Sequence, residues 1–150
     1  MQIEIKKIEA DDHSLMEAML DVFAEAFDDS ESYVSKRPTP QYVAKLLRSE
    51  SFVGLVAIQE GRVIGALAAY ELMKFEQERS EFYIYDLAVL ESNRRAGVAT
   101  RLIVALKPIA SSRGAKVIFV QADYGDEPAI ALYTKLGCRE DVLHFDIATD

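Results

Sequence analysis

The stretch Arg94-Arg95-Ala96-Gly97-Val98-Ala99 lies between a strand-like run and a run with helical spacing, and its residue types suit it to hold an anion. Glycine and small side chains let a ligand come close to the backbone. The first amides of a helix lack internal partners and sit at the positive end of its dipole. A diphosphate can occupy that position, with the two arginines adding charge. The plainer reading is a helix start with exposed arginines. Upstream, Asp86 stands among Ile84, Leu87 and Ala88. A carboxylate in so apolar a strand either pairs with something or works. Its plainer role is an acceptor for backbone amides or a charge on a strand edge. Tyr133 shares a helical face with Ile130 and Leu136, and that spacing alone marks a core aromatic.

Charge is unevenly spread. The 150 residues carry 17 basic and 25 acidic groups, a net charge of −8. That sum disfavours non-specific nucleic-acid binding, which depends on Lys and Arg at phosphates. Residues 94–116 hold Arg94, Arg95, Arg101, Lys107, Arg113 and Lys116 and no acid. Residues 121–150 hold Asp123, Asp126, Glu127, Glu140, Asp141, Asp146 and Asp150 against Lys135 and Arg139. The first stretch favours an anion and the second a cation, unless both are simply solvated faces. His144 and Asp146 fall on one face of a strand-like run, where they either orient each other or face solvent. His13 reads as a surface residue. The one cysteine, Cys138, cannot form an internal disulfide or a multi-cysteine metal site and reads as packing. No His, Cys and acid spacing points to a metal.

The elements that must position these residues follow from periodicity. Ile3–Ile8 alternates as a short strand, and residues 13–27 space Leu15, Met16, Met19, Val22, Phe23, Ala26 and Phe27 for one helical face. Asp28 to Pro40 is polar with two prolines and reads as a loop; Gln41–Ser49 reads as a helix. Phe52–Gln59 and Val63–Leu72 are strands joined by Glu60-Gly61-Arg62, a hairpin signal. A third strand, Glu81–Leu90, is rich in aromatic and β-branched residues. Simple alternation puts Phe82, Ile84, Asp86 and Ala88 on one face and Tyr83, Tyr85, Leu87 and Val89 on the other. A helix then runs from Gly97 to Arg113, with Pro108 expected to kink its final turn. Lys116–Ala122 is a strand, Pro128–Leu136 a helix ended by Gly137, and Val142–Ile147 a closing strand.

That order predicts an α+β fold with a mixed, mostly antiparallel sheet flanked by helices, neither a doubly wound Rossmann fold nor a bundle. The length suits one domain over residues 1–150. Half of the residues are apolar, too many for a disordered chain, yet no apolar run approaches the ~20 residues of a membrane span. The charged start, MQIEIKKIEADD, is unlike a secretory signal. A soluble, cytoplasmic protein is the expectation.

The Arg-x-x-Gly-x-Ala pattern after a strand resembles the acetyl-coenzyme A loop of the GCN5-related N-acetyltransferases (GNAT), and the element order resembles that fold over essentially the whole chain. Ala129-Ile-Ala-Leu-Tyr-Thr-Lys-Leu-Gly137 resembles the superfamily's helix and tyrosine after the cofactor strand. Further blocks resemble its aminoglycoside 3-N-acetyltransferases: Gly65-Ala-Leu-Ala-Ala-Tyr70, Lys74-Phe-Glu-Gln77, Glu81-Phe-Tyr-Ile-Tyr-Asp-Leu-Ala-Val89, Val120-Gln-Ala-Asp-Tyr-Gly-Asp126 and His144-Phe-Asp-Ile147. Pro108 departs from that pattern, away from the cofactor end of its helix.

The resemblance implies an enzyme that moves acetyl from acetyl-coenzyme A to the 3-amino group of an aminoglycoside. It implies a splayed central strand pair, with Leu87, Ala88 and Val89 pairing with the pantetheine arm as to an added strand. An amide at Ala88 or Val89 would stabilise the thioester oxyanion. The diphosphate role falls on Arg94, Arg95, Ala96, Gly97, Val98, Ala99 and Thr100. Asp86 would orient the ammonium and help carry off its proton, with a raised pKa or a water relay to strengthen it as a base. Tyr133 becomes the acid that protonates the departing thiolate. Asp123, Tyr124, Asp126, Glu127, His144 and Asp146 become contacts for a polycationic sugar; His144 is an alternative proton acceptor. Asp126 and Glu127 equally suit a helix start. The implied partners are a small-molecule substrate and a homodimer, with no nucleic acid, membrane or metal. Two other readings compete: acetyl transfer to a polyamine, small amine or protein N-terminus, and a coenzyme A-binding module without turnover.

Overall fold

The computed structural model describes residues 2–150. Strand β1 (Ile3–Lys7) leads into helix α1 (His13–Phe27), a single-turn α2 (Ser30–Tyr33) and α3 (Pro40–Arg48). Strands β2 (Phe52–Gln59), β3 (Arg62–Met73) and β4 (Ser80–Val89) follow, then α4 (Val98–Ser112), β5 (Ala115–Val120) and α5 (Glu127–Leu136). The sheet order is β1-β2-β3-β4-β5. The first four strands pair antiparallel, and β5 lies parallel to β4. This is the mixed, mostly antiparallel α+β sheet that the periodicity predicts. Among the described residues, no helix is long and apolar enough to cross a membrane.

Each face of the sheet carries its own core. On one, Leu102, Ile103 and Leu106 of α4 pack on Val53, Leu55, Leu67, Phe82 and Ile84. On the other, Met16, Met19 and Phe23 of α1 and Val43 and Leu47 of α3 pack on Phe52, Val56, Ala66, Ala68 and Ala88. Side chains of one strand segment alternate between the two cores, as pleating requires. At Gly65 α4 lies close against the sheet: a Cβ there would meet Val98 Cγ1 at 3.1 Å and the Ala88 carbonyl oxygen at 3.3 Å. A glycine at that point seats the start of α4 against β3.

Strict alternation fails once, in β4. Ala68 pairs with Asp86 but the next residue, Ala69, pairs with Ile84, so Tyr85 is an extra residue without a partner on β3. This bulge flips the faces beyond it. Phe82 and Ile84 join Leu87 and Val89 in the α4 core, whereas Ala88 belongs to the α1 core. The expectation that Phe82, Ile84, Asp86 and Ala88 share a face is corrected: Asp86 and Ala88 are turned to the α1 side. Bulges of this kind re-aim side chains next to active sites.

Three other expectations are corrected. The segment after α1 is not wholly loop, since Ser30–Tyr33 form a turn of helix with Asp29 accepting from the Ser32 amide. As the spacing predicts, helix α4 runs through Pro108 to Ser112; Val104, whose carbonyl loses its helical partner there, is 51% exposed. No strand forms at Val142–Ile147, and among the described residues 138–150 no backbone group bonds to another. Cys138 is exposed rather than packed.

Candidate functional site

The loop before α4 is built to gather amides. Arg95 and Gly97 both take left-handed backbone, with φ of 65° and 76°. Left-handed residues in a turn collect successive N–H groups into an anion-binding concavity. Gly97 is the residue before the helix, no side chain caps the first turn, and no acid lies in it. Its Cβ position is open, with nothing within 4 Å, so close backbone approach is available from solvent. Arg94 fastens this loop to the sheet: its Nε donates to the Val89 carbonyl at 3.0 Å. Its Nη groups have no partner among the described residues and face outward as charge. Uncapped amides, open space and unpaired guanidinium fit a diphosphate.

Two other basic residues of the stretch are spent on the fold. Arg101 donates to the Ile3 carbonyl at 2.7 Å. Arg113 pairs with Glu71 at 3.7 Å and lies over the Phe82 ring.

Beside the loop the sheet opens. Pairing between β4 and β5 ends at Ile84 with Val120, while β4 runs on to Val89. Asp86, Leu87, Ala88 and Val89 therefore pair with β3 on one side only. Ala88 and Val89 are buried and Leu87 is partly so, so this open edge is apolar in side chain and polar in backbone. An extended arm with amide groups fits such an edge.

Asp86 stands at the mouth of the opening. The hydroxyl of Tyr33, on α2, donates to its Oδ2 at 2.8 Å. Burial pushes the Asp86 carboxyl above its ordinary value, and the Tyr33 bond works against that rise. Burial first, and the bond to Asp86 second, push the Tyr33 hydroxyl well above the ordinary tyrosine range. Tyr33 is held in turn by tilted ring contacts with Phe23 and Phe27. Arg37 donates to the Tyr33 carbonyl and ties the same segment to Glu17 and Asp21 of α1. Tyr33 is a site residue that sequence reasoning missed.

Aromatic rings line the sheet near Asp86. Edge contacts join Phe52 to Tyr70, Tyr70 to Tyr85 and Tyr85 to Tyr83, and Tyr83 stacks on Phe119. Tyr85, the bulged residue, is 62% exposed. Such faces accept both apolar ring surfaces and cations.

Tyr133 packs instead against the α4-side core. Asp86 and Tyr133 thus belong to opposite faces of the sheet, and a molecule touching both must pass between β4 and β5. Burial, reinforced by the Asp126 charge, pushes the Tyr133 hydroxyl up to about 12. It therefore stays protonated through the neutral range.

Tyr133, Asp123, Tyr124 and His144 line one groove of about 1370 Å³ between β5, α5 and the chain's end. Asp126, Glu127 and Asp146 do not line it. Asp126 precedes α5 and accepts from the Ala129 amide at 3.4 Å, with Glu127 in the first turn; both complement the helix start. His144 Nε2 and Asp146 Oδ1 are 2.9 Å apart on an exposed segment, so they do orient each other.

Residues 13–138 match the acetyltransferase (GNAT) family. A solved aminoglycoside acetyltransferase from an uncultured soil metagenomic sample is 53% identical, with a TM-score of 0.98 and 100% of both chains covered. A second aminoglycoside acetyltransferase, from an uncultured soil metagenomic sample and solved in complex with sisomicin, is 27% identical with a TM-score of 0.91, covering 99% of this chain and 97% of that one. An uncharacterised N-acetyltransferase of Bacillus subtilis is 31% identical over 98 residues, 65% of either chain. N-alpha-acetyltransferase 30 of Schizosaccharomyces pombe is 33% identical over 88 residues, 56% of either chain. The matched span thus covers less than two thirds of these two relatives.

Proposed function

Because the chain belongs to the acetyltransferase (GNAT) family, we propose that this acetyl-coenzyme A-dependent acetyltransferase acts on the 3-amino group of an aminoglycoside. The observation that carries the substrate class is the 53% identity, over both full lengths, to a solved aminoglycoside acetyltransferase. The position of transfer rests on the sequence blocks that resemble the 3-N-acetyltransferases. The reading takes residues 1–150 as one GNAT domain working in the cytoplasm.

Each group has a task in this reading. Acetyl-coenzyme A, when bound, supplies an activated thioester. The amides behind Gly97, with Arg94 and Arg95, hold its diphosphate, and the open edge of Leu87, Ala88 and Val89 holds its pantetheine arm. An amide at Ala88 or Val89 donates to the thioester oxygen as negative charge grows there. Asp86 holds the substrate ammonium and takes its proton, directly or through water. The freed nitrogen lone pair then forms the N–C bond as the C–S bond breaks, and the nitrogen, charged again by the attack, loses its second proton to solvent. Asp86's raised pKa makes it a stronger base than an ordinary carboxylate, and the Tyr33 bond leaves its other oxygen for the amine. Tyr133 gives its proton to the departing sulfur and recovers one from solvent. Tyr70, Tyr83 and Tyr85 offer faces to sugar rings and ammonium groups. Asp123, Tyr124 and His144 extend the substrate surface along the groove, with His144 the alternative proton acceptor.

A second reading, acetylation of a protein N-terminus, is favoured by the match to N-alpha-acetyltransferase 30 of Schizosaccharomyces pombe. One experiment separates the two. The protein is given acetyl-coenzyme A with gentamicin-type and kanamycin-type aminoglycosides, a polyamine and a peptide with a free N-terminus, and NMR locates the acetylated nitrogen. The 3-amino group of the aminoglycoside is the expected product site. Preferential turnover of the peptide or polyamine overturns the proposal.

A further inference from the structure

Residues 28–38 pass beside Asp86 with little to hold them there. Helix α2 is four residues long and has no buried residue, and so short a helix is not stable by itself. In the whole stretch only Asp29, Tyr33, Arg37 and Pro38 are even partly buried. Asp29 bonds within its own turn, to the Ser32 amide. The side-chain bonds and ring contacts that fasten the stretch to the rest of the molecule come from Tyr33 and Arg37.

Arg37 uses its whole fork. Its Nε donates to the Tyr33 carbonyl at 3.0 Å, its Nη1 to Glu17 Oε2 at 2.9 Å, and its Nη2 to Asp21 Oδ1. Glu17 and Asp21 are four residues apart on α1, so they stand one turn above the other and a single planar guanidinium meets both. The Arg37 side chain keeps only 22% of its surface exposed. Its bond to the Tyr33 carbonyl fixes where the Tyr33 side chain starts, and the rings of Phe23 and Phe27 fix how it lies. The hydroxyl then reaches Asp86 Oδ2 at 2.8 Å. A displacement of about 1 Å would take it out of bonding range.

We propose that Arg37 is a positioning residue for the acetyl transfer: by clasping residues 28–38 to α1 it holds the Tyr33 hydroxyl on one oxygen of Asp86 and so presents the other to the substrate ammonium. Arg37 acts through Tyr33, and its own charge is matched by Glu17 and Asp21. The inference rests on the reading of Asp86 as the group that takes the amine's proton. The titratable side chains that share the surroundings of Asp86 are Tyr33 on α2, Tyr70 on β3, and Tyr83 and Tyr85 on β4, with Asp29 beside Tyr33. Among these it is the Tyr33 hydroxyl that bonds the carboxylate, so releasing Tyr33 weakens a contact that favours the charged form.

The test is a ¹³C NMR titration of the Asp86 carboxyl in the full-length protein, its resonance identified by its loss in Asp86→Asn. It needs no substrate, so the result does not depend on which amine is acetylated. In the double substitution Glu17→Ala, Asp21→Ala the clasp and the electric field act with opposite signs. Removing two negative charges lowers the Asp86 midpoint by field alone, whereas releasing Tyr33 raises it. A midpoint above that of the wild type is the expected result. With Tyr33→Phe already in place, the same double substitution should no longer raise it. Arg37→Met opens the clasp from the other side and should raise the midpoint as well. An unchanged or lowered midpoint in the double variant, an unmoved one in Arg37→Met, or a rise that persists in Tyr33→Phe overturns the proposal. The acid limb of the kcat/KM profile should follow the midpoint in each variant. A midpoint that rises while the limb stays in place supports the clasp and removes Asp86 as the proton acceptor.

Discussion

The hydroxyl of Tyr33 donates to Oδ2 of Asp86 at 2.8 Å, across 53 residues of sequence. The bond favours the charged carboxylate, while burial favours the neutral one and dominates. Removing the hydroxyl leaves burial unopposed, so the Asp86 pKa rises further in Tyr33→Phe. Because the amine is held by the ionised carboxylate, the acid limb of the kcat/KM profile should move to higher pH. Activity well above that limb should be near wild type. A profile that falls uniformly, with no displacement of the limb, would show that Tyr33 does not act through Asp86.

Asp86→Asn keeps size and hydrogen bonding but removes the charge that holds the ammonium and takes its proton. The expected loss in kcat/KM for the amine is roughly 10²–10⁴, the span of general acid–base effects. Acetyl-coenzyme A affinity should be unchanged, since the diphosphate loop lies beyond the end of β4. A folded variant with wild-type turnover from pH 6 to 9 transfers the base role to His144 or solvent.

How much of this was legible in the sequence follows from which forces act locally. Helix α1 and strand β2 lie where periodicity puts them, because burial of one face fixes their spacing. The loop at Arg94 to Thr100 was legible because glycine at a helix start has a local cause. The face of Asp86 was not. Alternation counts every residue, and nothing in Tyr83-Ile84-Tyr85-Asp86 marks Tyr85 as the one that skips its partner. Tyr33 is hidden for a related reason: it sits in a polar, proline-flanked stretch, and tertiary contacts with Phe23 and Phe27 and through Arg37 bring it over β4. The expected strand at Val142–Ile147 does not form: its apolar alternation is real, but no backbone group there bonds to another among the described residues.

Gly97 separates backbone strain from ligand approach. Its φ of 76° strains any β-branched residue, so Gly97→Val should lower Tm as well as acetyl-coenzyme A affinity. Asparagine tolerates left-handed backbone, and nothing lies within 4 Å of the added Cβ. Gly97→Asn should therefore melt close to wild type but raise the acetyl-coenzyme A Kd roughly tenfold, or ~1.4 kcal/mol. Unchanged affinity by calorimetry takes the loop out of the diphosphate site.

Asp126 and Asp123 should divide between structure and substrate. Asp126 accepts from the Ala129 amide at the start of α5, and loss of such a cap costs about 0.5–2 kcal/mol. Asp126→Ala should thus lower Tm by a few degrees. Asp123 faces the groove without a helix to cap. Asp123→Asn should leave Tm unchanged, raise the aminoglycoside KM and flatten its dependence on salt, because one screened attraction to the polycation is lost. The same Tm fall for both variants, with no change in KM, removes Asp123 from the substrate surface.

Tyr133→Phe tests the acid. Its hydroxyl is pushed up to about 12 by burial and by Asp126, so it is protonated at any pH where the enzyme works and adds no limb of its own to the profile. The substitution should lower kcat without shifting either limb, and leave the aminoglycoside KM and acetyl-coenzyme A affinity near wild type. The loss should be smaller than for Asp86→Asn, below about 10². A thiolate leaves without a proton far more readily than an alkoxide or an amide, so the acid eases a step that already proceeds. The effect should therefore grow when acetyl-coenzyme A is replaced by an oxygen ester analogue, whose leaving group needs that proton. Equal losses with the thioester and the oxygen ester would mean that Tyr133 supports the core beside α4 and donates nothing to sulfur.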